Sequence, residues 1–287
     1  MSSTRNDFRF LDRLRVRWSE VDLQKIVFNG HYLMYFDTAV AGYWRALALP
    51  YHETMAALQG DLYVRKATLE YAASARYDEQ LDVGIRCARI GNSSMVFGAA
   101  VFRGEQRLVH GELVYVFADP VTQTSRPVPL VLRDWLLGYE AGDAVFSVQT
   151  GDSATLGGTS RSLRQAVFAQ ELGAPAAGVA DAADAQAVHA VAFNRAGLAL
   201  ASGRLLAPVD GVGQIGRMAT LAAVRGAGVG RAVLAALAAA SRARGDRLLV
   251  LQAAPSVLPF YARAGFVATG AVHTEAGVDH LEMSRLP

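Results

Sequence analysis

The stretch WSEVDLQKIVFNGHYLMYFDTA, residues 18–39, places a polar turn directly before a long helical pattern. From His31 to Leu49, apolar side chains recur at helical spacing, and Pro50 stops the pattern. Before the turn, residues 12–19 alternate between arginines and apolar side chains, which is typical of a half-exposed strand. The sequence therefore predicts a strand, a turn over residues 19–25 and one long helix.

Four strand-like segments follow this helix and are joined by short turns. They cover Leu62–Tyr71, Gln80–Ile90, Ser94–Arg103 and Arg107–Ala118. One long helix followed by a meander of long strands predicts an α+β layer in which an antiparallel sheet wraps the helix. A proline-rich junction and a short helix over Val131–Tyr139 follow, and the first domain is predicted to span residues 1–143.

The second half has a different pattern and is predicted to be an α/β domain over residues 144–287. Its glycine-rich loop leads into a helix with one apolar face. The predicted elements are, in order, a helix over Thr159–Leu172, strands over Val188–Asn194, Leu198–Leu206 and Gly213–Leu221, a helix over Val229–Arg244, a strand over Leu248–Ala253, a short helix over Pro259–Ala264 and a final strand pair. Because the halves share no repeat, we expect two different folds.

The composition excludes several classes of protein. With 287 residues, 52% hydrophobic and 19% charged, the chain can build two packed domains. A net charge of +2 gives no basic field for nucleic acid, and the arginines at 13, 15 and 17 have no aromatic interleaving to support such binding. The single cysteine, Cys87, fits a reducing compartment, and no Cys/His cluster has metal-ligand spacing.

Location is predicted from two further features. The first ten residues lack the apolar segment of a secretory signal. The longest alanine-rich run, Ala232–Ala240, is too short to span a bilayer. We therefore expect a cytoplasmic protein with no membrane, nucleic-acid or metal partner.

Asp22 is the first candidate for catalysis, because it lies in a loop just before the predicted long helix. Backbone N–H groups at a helix start lack intrahelical partners and carry partial positive charge, so they can hold an oxyanion. A carboxylate that faces them can act as a general base on water or attack an ester directly. The alternative is that Asp22 is an ordinary turn aspartate.

Residues 12–140 resemble the hotdog-fold acyl-CoA thioesterases of the 4-hydroxybenzoyl-CoA thioesterase type. The residues that match the family pattern are Glu20, Asp22, Val27, Phe28 and Tyr32. The resemblance implies that Asp22 is catalytic and that the helix-start amides of Asn29 and Gly30 bind the thioester carbonyl. Asn29 stands where several relatives have a histidine, which puts high turnover in doubt.

The same resemblance implies a homodimer or homotetramer, since hotdog sheets pair edge to edge and the site lies at that seam. The acyl group is expected along the helix and sheet face near Tyr32, Tyr35 and Phe36, and the alternative is that these aromatics are core residues. His31 is interpreted as a surface or subunit-contact histidine rather than a substitute for the missing one.

The segment RGAGVGR, residues 225–231, is the second candidate site. A strand, then closely spaced glycines, then a helix is an arrangement that binds phosphate, because amides without a neighbouring Cβ approach the oxygens closely. Arg225 and Arg231 would add two cations. The spacing fits neither the dinucleotide fingerprint nor a Walker loop, and a glycine-rich helix entry without a ligand is the alternative.

Residues 147–287 resemble the GCN5-related N-acetyltransferases (GNAT). The matching blocks are RGAGVG over Arg225–Gly230, PFYARAGF over Pro259–Phe266 and EAGVDHLEM over Glu275–Met283. The resemblance implies that the amides of this loop hold the coenzyme A pyrophosphate and that the edge at Met218–Thr220 pairs with pantetheine. The implied coenzyme A contacts are Met218, Thr220, Arg225, Gly226, Gly228, Val229, Gly230 and Arg231.

Two roles remain for the second site. By the resemblance, Tyr261 protonates the departing thiolate, with a packing role as the alternative. The base for the amine is sought among His280, Glu275 and Glu171. The acceptor amine cannot be read from the sequence.

Together these features predict a bifunctional enzyme that hydrolyses acyl-CoA in its first domain and transfers acetyl from acetyl-CoA to an amine in its second. Coenzyme A thioesters are expected as substrates, and no prosthetic group is expected. The alternatives keep one activity: the second domain is a non-catalytic coenzyme A sensor, or the first is a dimerisation scaffold.

Overall fold

A computed structural model of the chain describes residues 4–173, 179–275 and 278–287, apart from the side chains of 271, 273–275 and 278. The chain divides into two compact units, Met1–Val145 and Phe146–Pro287. Among the helices of these described ranges, none is both long and apolar enough to cross a membrane. The same ranges hold no group of three or more His, Cys, Asp or Glu side chains arranged to bind a metal ion.

The first unit is an antiparallel sheet of five strands with one long helix. Its elements are β1 Phe10–Arg15, α1 Asn29–Ala46, α2 Tyr51–Ala57, β2 Asp61–Tyr71, β3 Gln80–Ile90, β4 Ser94–Arg103, β5 Gln106–Ala118 and α3 Leu130–Glu140. The strand order is β1-β3-β4-β5-β2, so β2 is an edge strand. The structure confirms the predicted helix wrapped by a sheet, with the four long strands within one residue of their predicted bounds.

The core of this unit lies between α1 and the sheet. Phe36 and Tyr43 on α1 are 0% exposed, and the ring of Tyr43 packs edge-to-face on Phe97 of β4 at 5.7 Å. Each such buried side chain stabilises the fold by roughly 1.5–3 kcal/mol. Leu33 was predicted to lie on the apolar face of the helix because of its spacing. It is 41% exposed and therefore lies on the face toward water.

The first predicted strand was too long at its C-terminal end. β1 ends at Arg15, and residues Trp18–Glu20 form a 3₁₀ turn instead. The physical reason is that Glu20 accepts the amide hydrogen of Arg17 at 2.7 Å, which closes the turn and directs Trp18 outward, where it is 76% exposed.

The second unit is a sheet of seven strands in the order β11-β12-β10-β9-β8-β7-β6. Its strands are β6 Phe146–Gly151, β7 Val188–Asn194, β8 Ala199–Leu205, β9 Val212–Thr220, β10 Leu248–Ala253, β11 Val267–Glu275 and β12 Val278–Arg285. Its helices are α4 Gly158–Arg164, α5 Val229–Arg244 and α6 Leu258–Arg263. The pair β9–β10 is parallel, and the other described pairs are antiparallel. This is the predicted α/β sheet, and α5 has its predicted bounds.

Two features of the second unit differ from the prediction. Strand β6 was assigned to the junction between the two domains. Its exposed side chains include the polar Ser147, Gln149 and Thr150, which are also typical of a loop. The helix predicted over Thr159–Leu172 is α-helical only in α4, with π-helical turns at Ser153–Gly157 and Gln165–Glu171 on either side. Side-chain periodicity does not distinguish these helix types over so few residues.

A buried ion pair fixes α4 in the second unit. Arg164 is 0% exposed, and its two terminal nitrogens donate to the Asp184 carboxylate at 2.9 and 2.8 Å. Because an unpaired buried charge is very costly, this pairing is needed for Arg164 to be there at all. Arg204 of β8 donates to the same carboxylate at 2.7 Å, so the cluster ties helix to sheet.

Candidate active sites

The loop that carries Asp22 is a short, self-bonded turn. The Asp22 amide donates to the carbonyl of Ile26 at 2.9 Å, and the Lys25 amide donates back to the carbonyl of Asp22 at 2.9 Å. Lys25 has φ 61°, in the left-handed region, which lets the chain reverse. The Asp22 carboxylate accepts the amide hydrogen of Gln24 at 2.8 Å. The turn therefore holds the carboxylate in one orientation.

Glu20 connects this loop to α1. Its backbone carbonyl accepts from the amide of Phe28, the residue just before the helix, at 2.9 Å. Glu20 is 9% exposed, and its carboxylate accepts hydrogen bonds from the Tyr35 hydroxyl and the Arg17 amide, each at 2.7 Å. The sequence matched Glu20 to a family pattern but gave no signal for the Tyr35 bond, since that contact forms only when the helix folds back on the turn.

Asp22 and Asn29 line one open cleft of about 570 Å³. The amides of Asn29 and Gly30 are the first two of α1, so no carbonyl one turn earlier can accept from them. The ring of Phe28, which also lines the cleft, approaches this helix start closely, since a Cβ on Gly30 would lie 2.9 Å from it. The structure thus brings together the predicted carboxylate and helix-start donors.

Two tyrosines form another wall of the cleft. The Tyr71 hydroxyl, at the end of β2, donates to the carbonyl of Asn29 at 3.2 Å. This contact was not predicted, because nothing local to either residue indicates it. The Tyr32 hydroxyl accepts the amide hydrogen of Ala75 at 2.9 Å, and burial raises the pKa of Tyr32 above its usual value. The Tyr32 phenol therefore stays protonated near neutral pH.

The expected acyl path needs correction. Tyr35 is 6% and Phe36 0% exposed, and both belong to the core rather than to the cleft. Of the three predicted acyl-contact aromatics, Tyr32 alone lines the cleft. The His31 ring is half-buried and packs edge-to-face on Phe28 at 5.9 Å, and its role as a surface or subunit-contact histidine stays a prediction.

The glycine loop of the second unit enters α5 through two left-handed residues. Gly226 has φ 88° and Gly228 has φ 83°, and Gly228 caps the helix. Side chains other than glycine are strained in that region. Gly230 packs closely on the end of β9, because a Cβ there would lie 2.9 Å from Thr220 Oγ1. The amides that follow Gly228 are therefore open to an anion.

The edge of β9 next to this loop is unpaired on one side. In the described part of the sheet, β9 pairs with β10 from Val212 to Ile215, after which it pairs only with β8. A bulge with Arg217 at φ 54° follows. Met218 and Thr220 lie on this unpaired stretch, as predicted for a ligand that adds hydrogen bonds to the strand.

Arg225 is engaged by protein groups rather than presented to the loop. Its Nη1 and Nη2 donate to the two oxygens of Glu171 at 2.6 and 2.8 Å, and its Nε donates to the carbonyl of Thr220 at 3.1 Å. The predicted role of Arg225 as a cation for the pyrophosphate stays a prediction, since its guanidinium is paired with Glu171 in this structure. Glu171 is unsuited as a base, since an arginine holds both its oxygens. Arg231 is exposed, with Nη2 3.7 Å from where a Cβ on Gly228 would be.

Tyr261 lies on α6, close to the glycine loop. Its neighbour Phe260 comes within 3.8 Å of the Cβ position of Gly230, and the Phe260 and Tyr261 rings pack at 4.9 Å. Burial raises the pKa of Tyr261 to about 12. The phenol therefore keeps its proton at neutral pH, which is the state that a general acid needs.

His280 and Glu275 are less well defined. His280 is half-buried on β12, next to Leu281, whose partner Ala253 ends β10 at the side of the sheet that leads to α6. Glu275 is the last residue of β11, and its side chain is outside the described residues. Residues 276 and 277 of the EAGVDHLEM block are outside them as well.

Comparison with known proteins finds two separate matches. The Thioesterase superfamily matches residues 24–110, and the Acetyltransferase (GNAT) domain matches residues 173–286. These matches confirm both predicted resemblances and the predicted fold of each half. The first match begins two residues after Asp22 and includes Asn29 and the start of α1, and the second includes the glycine loop and Tyr261.

Individual relatives match the same halves. The acyl-CoA thioester hydrolase YbgC of Escherichia coli is 27% identical over 120 residues, which is 40% of this chain and 87% of that protein. The uncharacterized N-acetyltransferase YjcF of Bacillus subtilis is 30% identical over 124 residues, 43% of this chain and 87% of that protein. The crystal structure of a putative N-acetyltransferase from Lactobacillus plantarum covers 50% of this chain and 99% of its own, at 27% identity and a TM-score of 0.46.

Proposed function

Because residues 24–110 belong to the thioesterase superfamily and residues 173–286 to the GNAT acetyltransferases, we propose that the protein is a bifunctional enzyme of coenzyme A thioesters. The first domain, residues 1–143, hydrolyses acyl-CoA, and the second, residues 144–287, transfers acetyl from acetyl-CoA to an amine. The observation that carries the first activity is a cleft lined by both Asp22 and Asn29, the first residue of α1.

In the hydrolysis, the Asp22 carboxylate takes a proton from water, and the water oxygen adds to the thioester carbonyl carbon. The amides of Asn29 and Gly30 hold the resulting oxyanion, because they have no intrahelical acceptor. Collapse of the intermediate breaks the carbon–sulfur bond, and the coenzyme A thiolate leaves with the proton. Direct attack by the carboxylate, through an anhydride that water then hydrolyses, uses the same geometry.

In the transfer, the acceptor nitrogen adds to the acetyl carbonyl carbon, and the carbon–sulfur bond then breaks. Tyr261 gives its proton to the departing thiolate, which its raised pKa permits at neutral pH. The amides of the loop from Gly226 to Arg231 hold the pyrophosphate, and the β9 edge at Met218–Thr220 pairs with pantetheine. His280 is our candidate for the base that takes the proton from the amine.

The oligomeric state is part of the proposal. β2 is an eleven-residue edge strand, and Val64 and Tyr71 on it are 53% and 52% exposed. An unpaired edge with apolar side chains can pair with the same edge of a second copy. We propose a homodimer or homotetramer formed through the first domain, which a measurement of molecular mass in solution tests. We also propose that the protein is cytoplasmic.

The proposal is tested by Asp22→Asn. Thiol release from a panel of acyl-CoA substrates should fall by about 10²-fold or more, since general-base help contributes roughly 10²–10⁴-fold. Asp78→Asn is the matched control, because Asp78 is a surface partner of Arg15 and lies outside the cleft. Full hydrolysis by a clean preparation of Asp22→Asn would refute the catalytic role of Asp22. A wild type that hydrolyses none of the acyl-CoA substrates would instead favour the scaffold alternative.

A further inference from the structure

The glycine loop of the second unit is held in place by the side chain of its first residue, Arg225. Arg225 donates three hydrogen bonds, two to Glu171 and one to the Thr220 carbonyl. Three segments therefore meet at one guanidinium: the π-helical turn Gln165–Glu171, the end of β9 and the start of the loop.

We infer that Glu171 is a positioning residue of the second site: it holds Arg225 and, through Arg225, fixes the glycine loop against the end of β9 before the ligand binds. The inference rests on the proposed function, because it concerns how that site receives coenzyme A. It also assigns Arg225 to the protein rather than to the pyrophosphate.

The geometry of the pair supports this assignment. A guanidinium that meets both oxygens of one carboxylate, at 2.6 and 2.8 Å, fixes direction as well as distance. A lysine could not reproduce it, since its ammonium is a point charge on a flexible stem. The bond from Nε to the Thr220 carbonyl uses a third donor of the same rigid group.

The neighbouring packing shows why the position of the loop matters. Gly230 approaches Thr220 so closely that a Cβ would lie 2.9 Å from Thr220 Oγ1. The same Thr220 carries the carbonyl that Arg225 holds. A small displacement of the β9 end therefore moves the first amides of α5, and amides that bind an anion lose hydrogen bonds when they shift by tenths of an ångström.

The helix type at Glu171 is a further sign of a specific role. Residues Gln165–Glu171 form a π-helical turn. Such turns are rare in proteins, and those that occur are often at functional sites. This turn ends at the carboxylate that receives Arg225. An uninterrupted α-helix over the same residues, as periodicity predicts, would place Glu171 on a different side of the helix axis.

The test is hydrogen-exchange mass spectrometry of the full chain over a titration with coenzyme A. The peptide over residues 222–235 reports the second site alone, and the peptide over residues 22–35 reports the first site in the same sample. The variants are Glu171→Gln, Arg225→Gln, Arg225→Lys and the double variant Glu171→Gln with Arg225→Gln. The matched control pair is Glu79→Gln and Arg103→Gln, which form a similar contact in the first unit at 2.9 Å.

Each single change should raise the coenzyme A concentration needed for protection of residues 222–235 by about tenfold, and the double variant should add little, as expected of two residues that act as one contact. Arg225→Lys should behave like Arg225→Gln. In these variants, hydrogen exchange of this peptide without ligand should rise, while Tm and the exchange of the first-site peptide should stay as in the wild type. Both control variants should bind coenzyme A as the wild type does.

Two outcomes would overturn the inference. If the two single effects multiply in the double variant, Arg225 acts on the ligand directly. If Arg225→Lys binds nearly as well as the wild type, a simple cation suffices and the fork to Glu171 is not needed. A wild type that shows no protection over residues 222–235 would instead refute the proposed coenzyme A site itself, and with it the premise.

Discussion

The loop around Asp22 and the loop that enters α5 solve the same problem with different chemistry. Each presents amides at the start of a helix, and each is held by one glutamate. Glu20 is nearly buried and accepts from two uncharged donors, Tyr35 and an Arg17 amide. Glu171 has a side chain that is 34% exposed and meets a charged Arg225.

The two glutamates contribute differently to the stability of their domains. Removing a buried acceptor leaves its donors unpaired away from water, at about 1–3 kcal/mol for each group. An exposed ion pair contributes only about 0–1 kcal/mol to stability and weakens with salt. The first loop is therefore part of the fold, whereas the second can be adjusted with little effect on the stability of its unit.

The largest expected effect is from Glu20→Ala. The Tyr35 hydroxyl and the Arg17 amide lose their acceptor, so the free energy of unfolding should fall by about 1–3 kcal/mol. Hydrolysis should fall as well, because the chain that leads into the Asp22 turn loses its side-chain bond to α1. Denaturant unfolding and thiol release measure the two effects.

Tyr35→Phe is the matched variant for this prediction. It removes one donor and keeps the Arg17 bond to Glu20, so it should cost less stability than Glu20→Ala and leave most of the hydrolysis. If Glu20→Ala were as stable and active as the wild type, the contrast between the two loops would be wrong.

The second prediction concerns Tyr261→Phe. Loss of the proton donor should lower acetyl transfer by about 10²-fold in an assay with a panel of amines. Because burial raises the pKa of Tyr261 to about 12, the phenol stays protonated as pH rises, so its deprotonation should cause no fall in wild-type transfer between pH 7 and 10. Hydrolysis at the first site is the internal control, and unchanged transfer would leave Tyr261 only a packing role.

Local patterns were sufficient for most of the fold and for the residues on which each site is built. The bounds of α5 and of β3 and β4 follow from periodicity and glycine position, and Asp22 stood out because it precedes a helix start. The Glu171–Arg225 pair did not, since 54 positions separate its members and nothing local to either one signals the other. Both glutamate contacts depend on tertiary packing, which sequence spacing does not encode.

A smaller effect is expected from Gly230→Ala. The added Cβ would lie 2.9 Å from Thr220 Oγ1, so the helix start or the threonine must give, and coenzyme A protection of residues 222–235 should weaken by about tenfold through strain of roughly 1–3 kcal/mol. Adding Thr220→Ala removes the clashing atom and should restore binding. Gly158→Ala is the control, since no atom lies within 4 Å of a Cβ there.

The smallest expected effect is from Arg231→Gln, and it separates the role of Arg231 from that of Arg225. With Arg225 paired to Glu171, Arg231 is the exposed cation beside Gly228, so it should account for part of the salt dependence of binding at the second site. An exposed charge contact contributes about 0.2–1 kcal/mol, which predicts a loss of affinity of at most about fivefold and a shallower salt slope. Arg242→Gln, at the far end of α5, should change neither quantity. A salt slope unaffected by Arg231→Gln but reduced by Arg225→Gln would reverse the roles assigned to the two arginines.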